Sequence, residues 1–87
     1  MDINEAANQI EQFFEEFRDG HADWNPTEIR VLPSGDDMNA IKVFFNFGPD
    51  VDDADIAPLR DRAMSALEKA RPDLADAYEL EVRADAM

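Results

Sequence analysis

The clearest pattern along the chain is an apolar stripe with helical spacing in the first twenty residues. Apolar side chains recur at steps of three and four from Ile3 to Phe17, and mostly polar side chains fill the positions between them. Such spacing is typical of an amphipathic helix with one buried face. Asp2 is placed to cap its start, and Gly20 suits the position just after its end. The pattern predicts a helix over residues 3–19.

Two runs of alternating polarity follow the helix, and together they predict a β-hairpin. Residues 27–32 and 38–47 both alternate in the way that half-buried strands do. In the second run the odd positions from Ile41 onward are strongly apolar, so odd positions are expected to face the core. The five residues 33–37 are rich in turn-forming types and form the predicted loop.

The register of this hairpin can be argued from side-chain chemistry. A slip by one residue would turn the core side chains to solvent, so only pairings that keep parity are allowed. One such pairing places Arg30 opposite Lys42, which is repulsive. Shifting it by two places Glu28 opposite Lys42 and Leu32 opposite Met38. We predict this second register because opposite charges across strands are favourable.

A second helix is predicted after the turn-rich segment that follows the hairpin. Asp53 or Asp55 is expected to cap its start. Pro58 then lies in its first turns, where a missing N–H matters least. Pro72 forbids the helix from continuing beyond about Arg71.

The end of the chain predicts a turn and a last strand. Residues 72–76 are expected to form a turn or one helical turn anchored by Leu74. Residues 78–83 alternate, with the apolar side chains at even positions expected to face inward. From Ala84 the chain is expected to be a loose tail.

The order of these elements predicts an α+β fold in a single small acidic domain over residues 1–87. Each helix and each strand has one apolar face, so a two-layer α-β-β-α-β sandwich buries them all, with both helices on one face of a three-stranded sheet. The second strand is the most apolar and is expected in the centre. A right-handed connection makes the third strand parallel to it. The alternative places the third strand beside the first, in an all-antiparallel sheet.

Composition narrows the function classes. The 87 residues include 21 Asp or Glu, only 8 Lys or Arg and no Cys, which gives a net charge of -13. Disulfides and cysteine-based zinc sites are therefore excluded. Nucleic-acid backbones and anionic membranes repel a protein this acidic, and we therefore expect neither as a direct partner.

No apolar run approaches the roughly 20 residues of a membrane span, and the acidic start differs from a signal peptide. We expect a cytoplasmic protein.

Four aspartates lie close together before the second helix, at positions 50, 52, 53 and 55. Several carboxylates on one loop can hold a hard cation such as calcium. The spacing does not fit the calcium-binding helix–loop–helix pattern, because Ala54 and Asp55 stand where a ligand and a glycine are needed. Capping of the helix and attraction to its positive end are the favoured interpretation, and weak cation association stays the alternative.

Few residues point to catalysis. His21, the single histidine, lies between Asp19 and Asp23, but no motif places an orienting partner beside it. Neither Ser34 nor Ser65 lies in a nucleophile motif, and no glycine-rich phosphate loop is present. We therefore predict a protein without enzymatic activity, catalytic residues, metal or cofactor.

The outward side of the sheet is the candidate interaction surface. Parity turns Phe44 away from the core, and nothing in the sequence supplies a third layer to cover it. The predicted surface consists of Phe44, Leu32, Met38, Lys42 and Trp24. For Trp24, closing one end of the core is the favoured interpretation, and a partner-binding anchor is the alternative. A β-bulge in the second strand would instead reset the parity and bury Phe44.

These observations favour a small acidic protein-interaction domain that binds a protein partner or a second copy of itself. A homodimer could oppose two such surfaces, pairing their cations with Glu28, Glu79 and Glu81 across a two-fold axis. The alternative is an acidic nucleic-acid mimic, whose carboxylates imitate phosphates and occupy the basic groove of a DNA-binding protein.

Several segments together resemble the cytoplasmic C-terminal domain of cation diffusion facilitator (cation-efflux) transporters. They are the first helix, Ile29-Arg30-Val31, Gly35, the apolar strand 41–47, the acidic lead into the second helix and Leu80-Glu81-Val82-Arg83. The resemblance covers most of the chain and implies a cation-responsive module. Those domains usually bind metal through histidines near the first strand, where this sequence has Thr27 and Glu28.

Overall fold

The computed structural model describes residues 2–35 and 39–86. In chain order these residues form α1 (Ile3–Gly20), β1 (Glu28–Pro33), β2 (Ala40–Asn46), α2 (Asp53–Ala70), α3 (Pro72–Ala77) and β3 (Glu79–Asp85). The helices pack against a three-stranded mixed sheet, which confirms the predicted α+β class.

The strand order of the sheet is β1-β2-β3. β1 runs antiparallel to β2, and β3 runs parallel to it. Both observations confirm the prediction and exclude the all-antiparallel alternative. The parallel pair needs a long connection, which α2 and α3 provide.

The hairpin keeps the predicted parity, but the predicted register is wrong. Glu28 lies opposite Asn46 rather than Lys42, and Lys42 lies opposite Leu32. The observed register pairs all six β1 residues with positions 41–46, whereas the predicted one would have left the strongly apolar end of β2 without a β1 partner. A cross-strand charge pair contributes only a few tenths of a kcal/mol, so ladder hydrogen bonds and apolar burial decide.

The ends of α1 follow its sequence closely, with one difference. Asp2 is the N-cap, and its Oδ1 accepts a hydrogen bond from the Glu5 N–H at 2.8 Å. Gly20 is the last residue inside the helix, not the residue beyond it, and its φ is not positive. His21 takes over the capping, because its Nδ1 donates to the Phe17 carbonyl at 2.9 Å.

The start of α2 differs from the prediction by one residue. Its N-cap is Asp52, whose side chain makes no capping hydrogen bond. Pro58 is the sixth helical residue, so it removes a hydrogen bond within the helix rather than filling a free first-turn position.

The end of α2 and the segment after it mostly follow the sequence. α2 ends at Ala70, immediately before Arg71, as Pro72 requires, and α3 is anchored by the buried Leu74. The expected loose tail is wrong, because β3 continues to Asp85, whose carbonyl accepts from the Phe47 N–H at 2.9 Å.

The core lies between the helices and the inner face of the sheet. The buried strand residues are mainly the odd positions of β1 and β2, as predicted. An aromatic cluster fills one end of this core, with ring centroids 5.0 to 6.3 Å apart; its members are Phe14, Phe17, Trp24, Phe45 and Phe47.

Candidate functional site

The side of the sheet that faces away from the helices carries three successive rows of side chains, which we call the outer face. Each row contains one residue of β1, one of β2 and one of β3, because the two registers place them side by side. The rows are Leu32–Lys42–Glu81, Arg30–Phe44–Arg83 and Glu28–Asn46–Asp85.

Phe44 occupies the centre of the outer face. The ladder between β1 and β2 is continuous from Glu28 to Pro33, so no bulge resets the parity there. Phe44 is half-buried, whereas its neighbours along β2, Val43 and Phe45, are buried in the core. The alternative in which Phe44 joins the core is therefore excluded.

Two open grooves run along the sides of Phe44. The groove towards β3 has a volume of about 360 Å³ and is lined by Lys42, Phe44, Glu81, Val82 and Arg83. The groove towards β1 has a volume of about 160 Å³ and includes Arg30, Leu32 and Phe44 in its lining. Leu32 is 46% exposed, so an apolar side chain borders the second groove. Both grooves combine an aromatic wall with charged rims.

The cations of the outer face are largely unpaired. Arg30 approaches Glu28 only to 4.0 Å, and both side chains are more than half exposed. Among residues 2–35 and 39–86, no salt bridge reaches Lys42 or Arg83. Three positive side chains thus surround one aromatic ring on a protein whose net charge is -13, and three carboxylates lie on the same face, those of Glu28, Glu81 and Asp85. The three cations can each pair with a carboxylate of a partner, and the ring tolerates an apolar contact.

The other residues expected on this surface are placed differently. Leu32 and Lys42 lie on the outer face as predicted, and Met38 lies outside the described residues. Trp24 is not on the surface, because its side chain is 0% exposed. Its Nε1 donates to the Leu59 carbonyl at 2.9 Å, so both its apolar body and its polar edge are satisfied inside the core.

The aspartates before α2 and the segment around His21 form no metal site in the part of the chain that the structure describes. No cluster of three His, Asp or Glu side chains there has the geometry to hold a metal ion. Asp52, Asp53 and Asp55 are all exposed at the start of α2. His21 stacks on Phe17, with ring centroids 4.1 Å apart.

Two exposed arginine–carboxylate pairs are present that the sequence pattern did not predict, and one of them joins distant segments. Arg62 of α2 contacts Asp23 through two hydrogen bonds of 2.6 and 3.2 Å. These bonds hold the pKa of Asp23 below its usual range and raise the pKa of Arg62. Arg71 likewise lowers the pKa of Asp73 through its hydrogen bonds. The first pair spans 39 residues, and no local pattern signals a contact of that kind.

Comparison with models of known protein families, with curated proteins and with solved structures found no match. The resemblance to the cation-efflux domains therefore stays a similarity of element order and strand pattern, which carries little functional weight. Across residues 2–35 and 39–86, no helix combines the length and the apolar character needed to cross a lipid bilayer.

Proposed function

We propose that the protein is a non-enzymatic protein-interaction domain whose outer face is its binding surface. The observation that carries the proposal is the row in which Phe44 lies between Arg30 and Arg83, uncovered by any described element. Arginine and aromatic side chains are enriched among the residues that dominate binding energy at interfaces. Covering Phe44 also gains roughly 25 cal/mol per Å² of apolar surface.

The chemistry of the outer face specifies its partner. An apolar side chain fits against Phe44 and Leu32, and carboxylates on either side of it would pair with Arg30, Lys42 and Arg83. The partner is therefore an acidic segment of a protein with an apolar anchor. The cytoplasmic location expected from the sequence belongs to the same proposal, and cell fractionation tests it.

Substitution at Phe44 tests the proposal. The wild-type protein captures partners from its native lysate, each partner is purified, and its affinity is measured by calorimetry against wild type and Phe44→Glu. We expect Phe44→Glu to remain folded and to weaken binding at least about tenfold, as for a central interface aromatic. Gln12→Glu is the matched control, since it adds the same charge at an exposed position of α1.

Two results would overturn this proposal. One is a folded Phe44→Glu protein that binds every captured partner as tightly as wild type does. The other is a Phe44→Glu protein that no longer folds, which would place Phe44 in the core. Lys42→Glu is a second variant of the same surface and should weaken binding as well, because Lys42 is exposed and forms no salt bridge among the described residues.

The acidic nucleic-acid mimic stays a second proposal, favoured by the excess of 21 Asp or Glu over 8 Lys or Arg. It requires a basic DNA-binding partner that contacts acidic surfaces away from Phe44. Binding would then fall steeply with salt and would be unchanged in Phe44→Glu. The unchanged binding of Phe44→Glu is opposite to the response expected for the outer face.

A further inference from the structure

The free edge of β3 exposes a regular set of backbone groups. Because the Glu79 N–H bonds to Asn39 and the Asp85 carbonyl accepts from Phe47, the odd residues of β3 direct their backbone towards β2. In a parallel ladder the alternate residues then direct both groups away. Leu80, Val82 and Ala84 thus present three N–H and three C=O groups along the edge, and within the described residues no bond satisfies them.

The opposite edge of the sheet, formed by β1, is blocked. The Ser34 N–H donates to the Ala40 carbonyl, so the even residues of β1 direct their backbone groups towards β2. The outward N–H groups of β1 therefore belong to its odd residues. Glu11 Oε1 of α1 accepts from the Val31 N–H at 3.2 Å, and Pro33 has no N–H to offer. Prolines and side-chain caps are devices that keep a strand edge from pairing. Among the described residues, β1 thus keeps one open outward N–H, that of Ile29, whereas β3 is open along its whole length.

The inner side chains along β3 are also incompletely covered. Ile41 and Val43 of β2 are buried, whereas Leu80 and Val82, which lie beside them on β3, are only half-buried. The layer of helices therefore leaves apolar surface exposed beside the free edge.

We propose that two copies of the chain pair antiparallel through β3, which joins their sheets into one sheet of six strands. A two-fold axis passes beside Val82, so that Val82 lies opposite Val82 of the second copy and Leu80 lies opposite Ala84. All the outward N–H and C=O groups of Leu80, Val82 and Ala84 are then satisfied. The half-buried apolar side chains of both copies meet on the helix side.

Complete backbone pairing and charge together select this register. On the outer face it places Arg83 of each copy directly opposite Glu81 of the other, in the closer non-hydrogen-bonded pairs. A shift by two residues in one direction opposes Arg83 with itself and Glu81 with Asp85, which is repulsive. A shift in the other direction forms two Glu79–Arg83 pairs but opposes Glu81 with itself, and it leaves the outward backbone groups of Ala84 without a β3 partner. The proposed register sets Glu79 opposite Asp85 only at the two exposed ends of the strands.

This dimer does not depend on the proposed function, because it uses the edge of the sheet rather than Phe44. The axis is perpendicular to the sheet, so both layers of helices lie on the same side. The two outer faces then form one continuous surface with two copies of Phe44, and a partner with repeated acidic segments would bind it with increased avidity.

Charge reversal at β3 tests the dimer by sedimentation equilibrium over a range of concentrations in 0.15 M NaCl. We expect wild type to reach twice the chain mass of 9.8 kDa, and Glu81→Arg and Arg83→Glu each to dimerise at least about tenfold more weakly. Mixing these two variants should restore a heterodimer, because every opposed pair becomes Arg with Glu. Phe44→Ala is the control, because it removes the aromatic ring without placing a charge beside Arg83, and it should dimerise like wild type.

Hydrogen exchange on the wild-type protein provides a second measurement that needs no variant. The amides of Leu80, Val82 and Ala84 should exchange more slowly as the concentration rises and the dimer forms. A wild-type chain that stays monomeric, a dimer whose three amides stay unprotected, or folded variants that fail to form the heterodimer would each overturn the proposal. A dimer lost in Phe44→Ala would instead indicate pairing through the outer face.

Discussion

The indole N–H of Trp24 donates to the backbone carbonyl of Leu59, 2.9 Å away and 35 residues further along the chain. This hydrogen bond joins the loop after α1 to α2, and the indole ring also packs against Phe14 and Phe45. Trp24 therefore connects both helices to the sheet at one end of the core. This is the favoured of its two predicted roles, and its 0% exposure leaves no surface for the alternative role of a partner-binding anchor.

Replacing Trp24 with a smaller side chain should destabilise the protein strongly. We expect Trp24→Phe to lower the free energy of unfolding by about 2–3 kcal/mol, because it leaves a cavity and removes a buried hydrogen bond. Urea denaturation followed by far-ultraviolet circular dichroism measures this loss. The control is Phe44→Leu on the outer face, which should change stability by less than about 1 kcal/mol. Equal losses in the two variants would contradict the division between core and outer face.

The pair formed by Asp23 and Arg62 should make stability depend on pH in acid. The pKa of Asp23 is lower in the folded protein than in the unfolded chain. The stabilisation is therefore complete above the unfolded pKa of about 3.9 and is lost as the pH falls through the folded value. The difference in melting temperature between wild type and Asp23→Asn should be constant from about pH 7 to about pH 5 and should vanish in stronger acid.

Asp76→Asn is the matched control for this pH experiment. Asp76 is exposed and forms no salt bridge among the described residues, so its removal changes the net charge equally without breaking a pair. At neutral pH, Asp23→Asn should melt below Asp76→Asn. The same melting temperature for both variants at every pH would show that the pair with Arg62 contributes nothing.

Salt should stabilise the protein. Its net charge of -13 produces repulsion within a small fold, and unfolding relieves that repulsion. Sodium chloride shortens the screening length from about 10 Å at 0.1 M to about 3 Å at 1 M. The melting temperature should therefore rise with salt, and it should rise less in the double variant Glu15→Gln, Glu16→Gln. A curve that stays flat or falls would refute this explanation.

Replacement of two glycines by alanine should change the stability of the protein in opposite directions. Gly48 has a φ of +81°, so Gly48→Ala should lower stability by about 1–2 kcal/mol. Gly20 is helical, and an added Cβ meets nothing within 4 Å, so Gly20→Ala should raise stability by about 0.5–1 kcal/mol. Thermal melting of both variants measures the two changes. Changes of the same sign would be inconsistent with the backbone at one of the two positions.

The candidate surface was predictable in its central residue but not in its neighbours. Parity alone placed Phe44 and Lys42 outward, because successive side chains of a strand alternate between its faces. Which residues flank Phe44 depends on how far each neighbouring strand is shifted, and the predicted hairpin register was wrong by four residues. Cross-strand charge was the only local signal for that register, and it is weaker than the burial of apolar surface.

Local patterns in the sequence were sufficient to predict the helices and strands of this protein. The apolar steps of three and four determined α1, the alternation determined the inward face of each strand, and Pro72 determined where α2 stops. Each of these features is caused by residues that are close together in the sequence, so it can be predicted without knowledge of the tertiary structure.

Only the tertiary structure decided the relationships between distant segments. It placed Trp24 in the core against Leu59, paired Asp23 with Arg62 and left β3 as the open edge while Glu11 closed β1. Each of these outcomes depends on how the helices and the sheet fit together in space. Many arrangements satisfy the same local patterns, and the packing of the whole core selects among them.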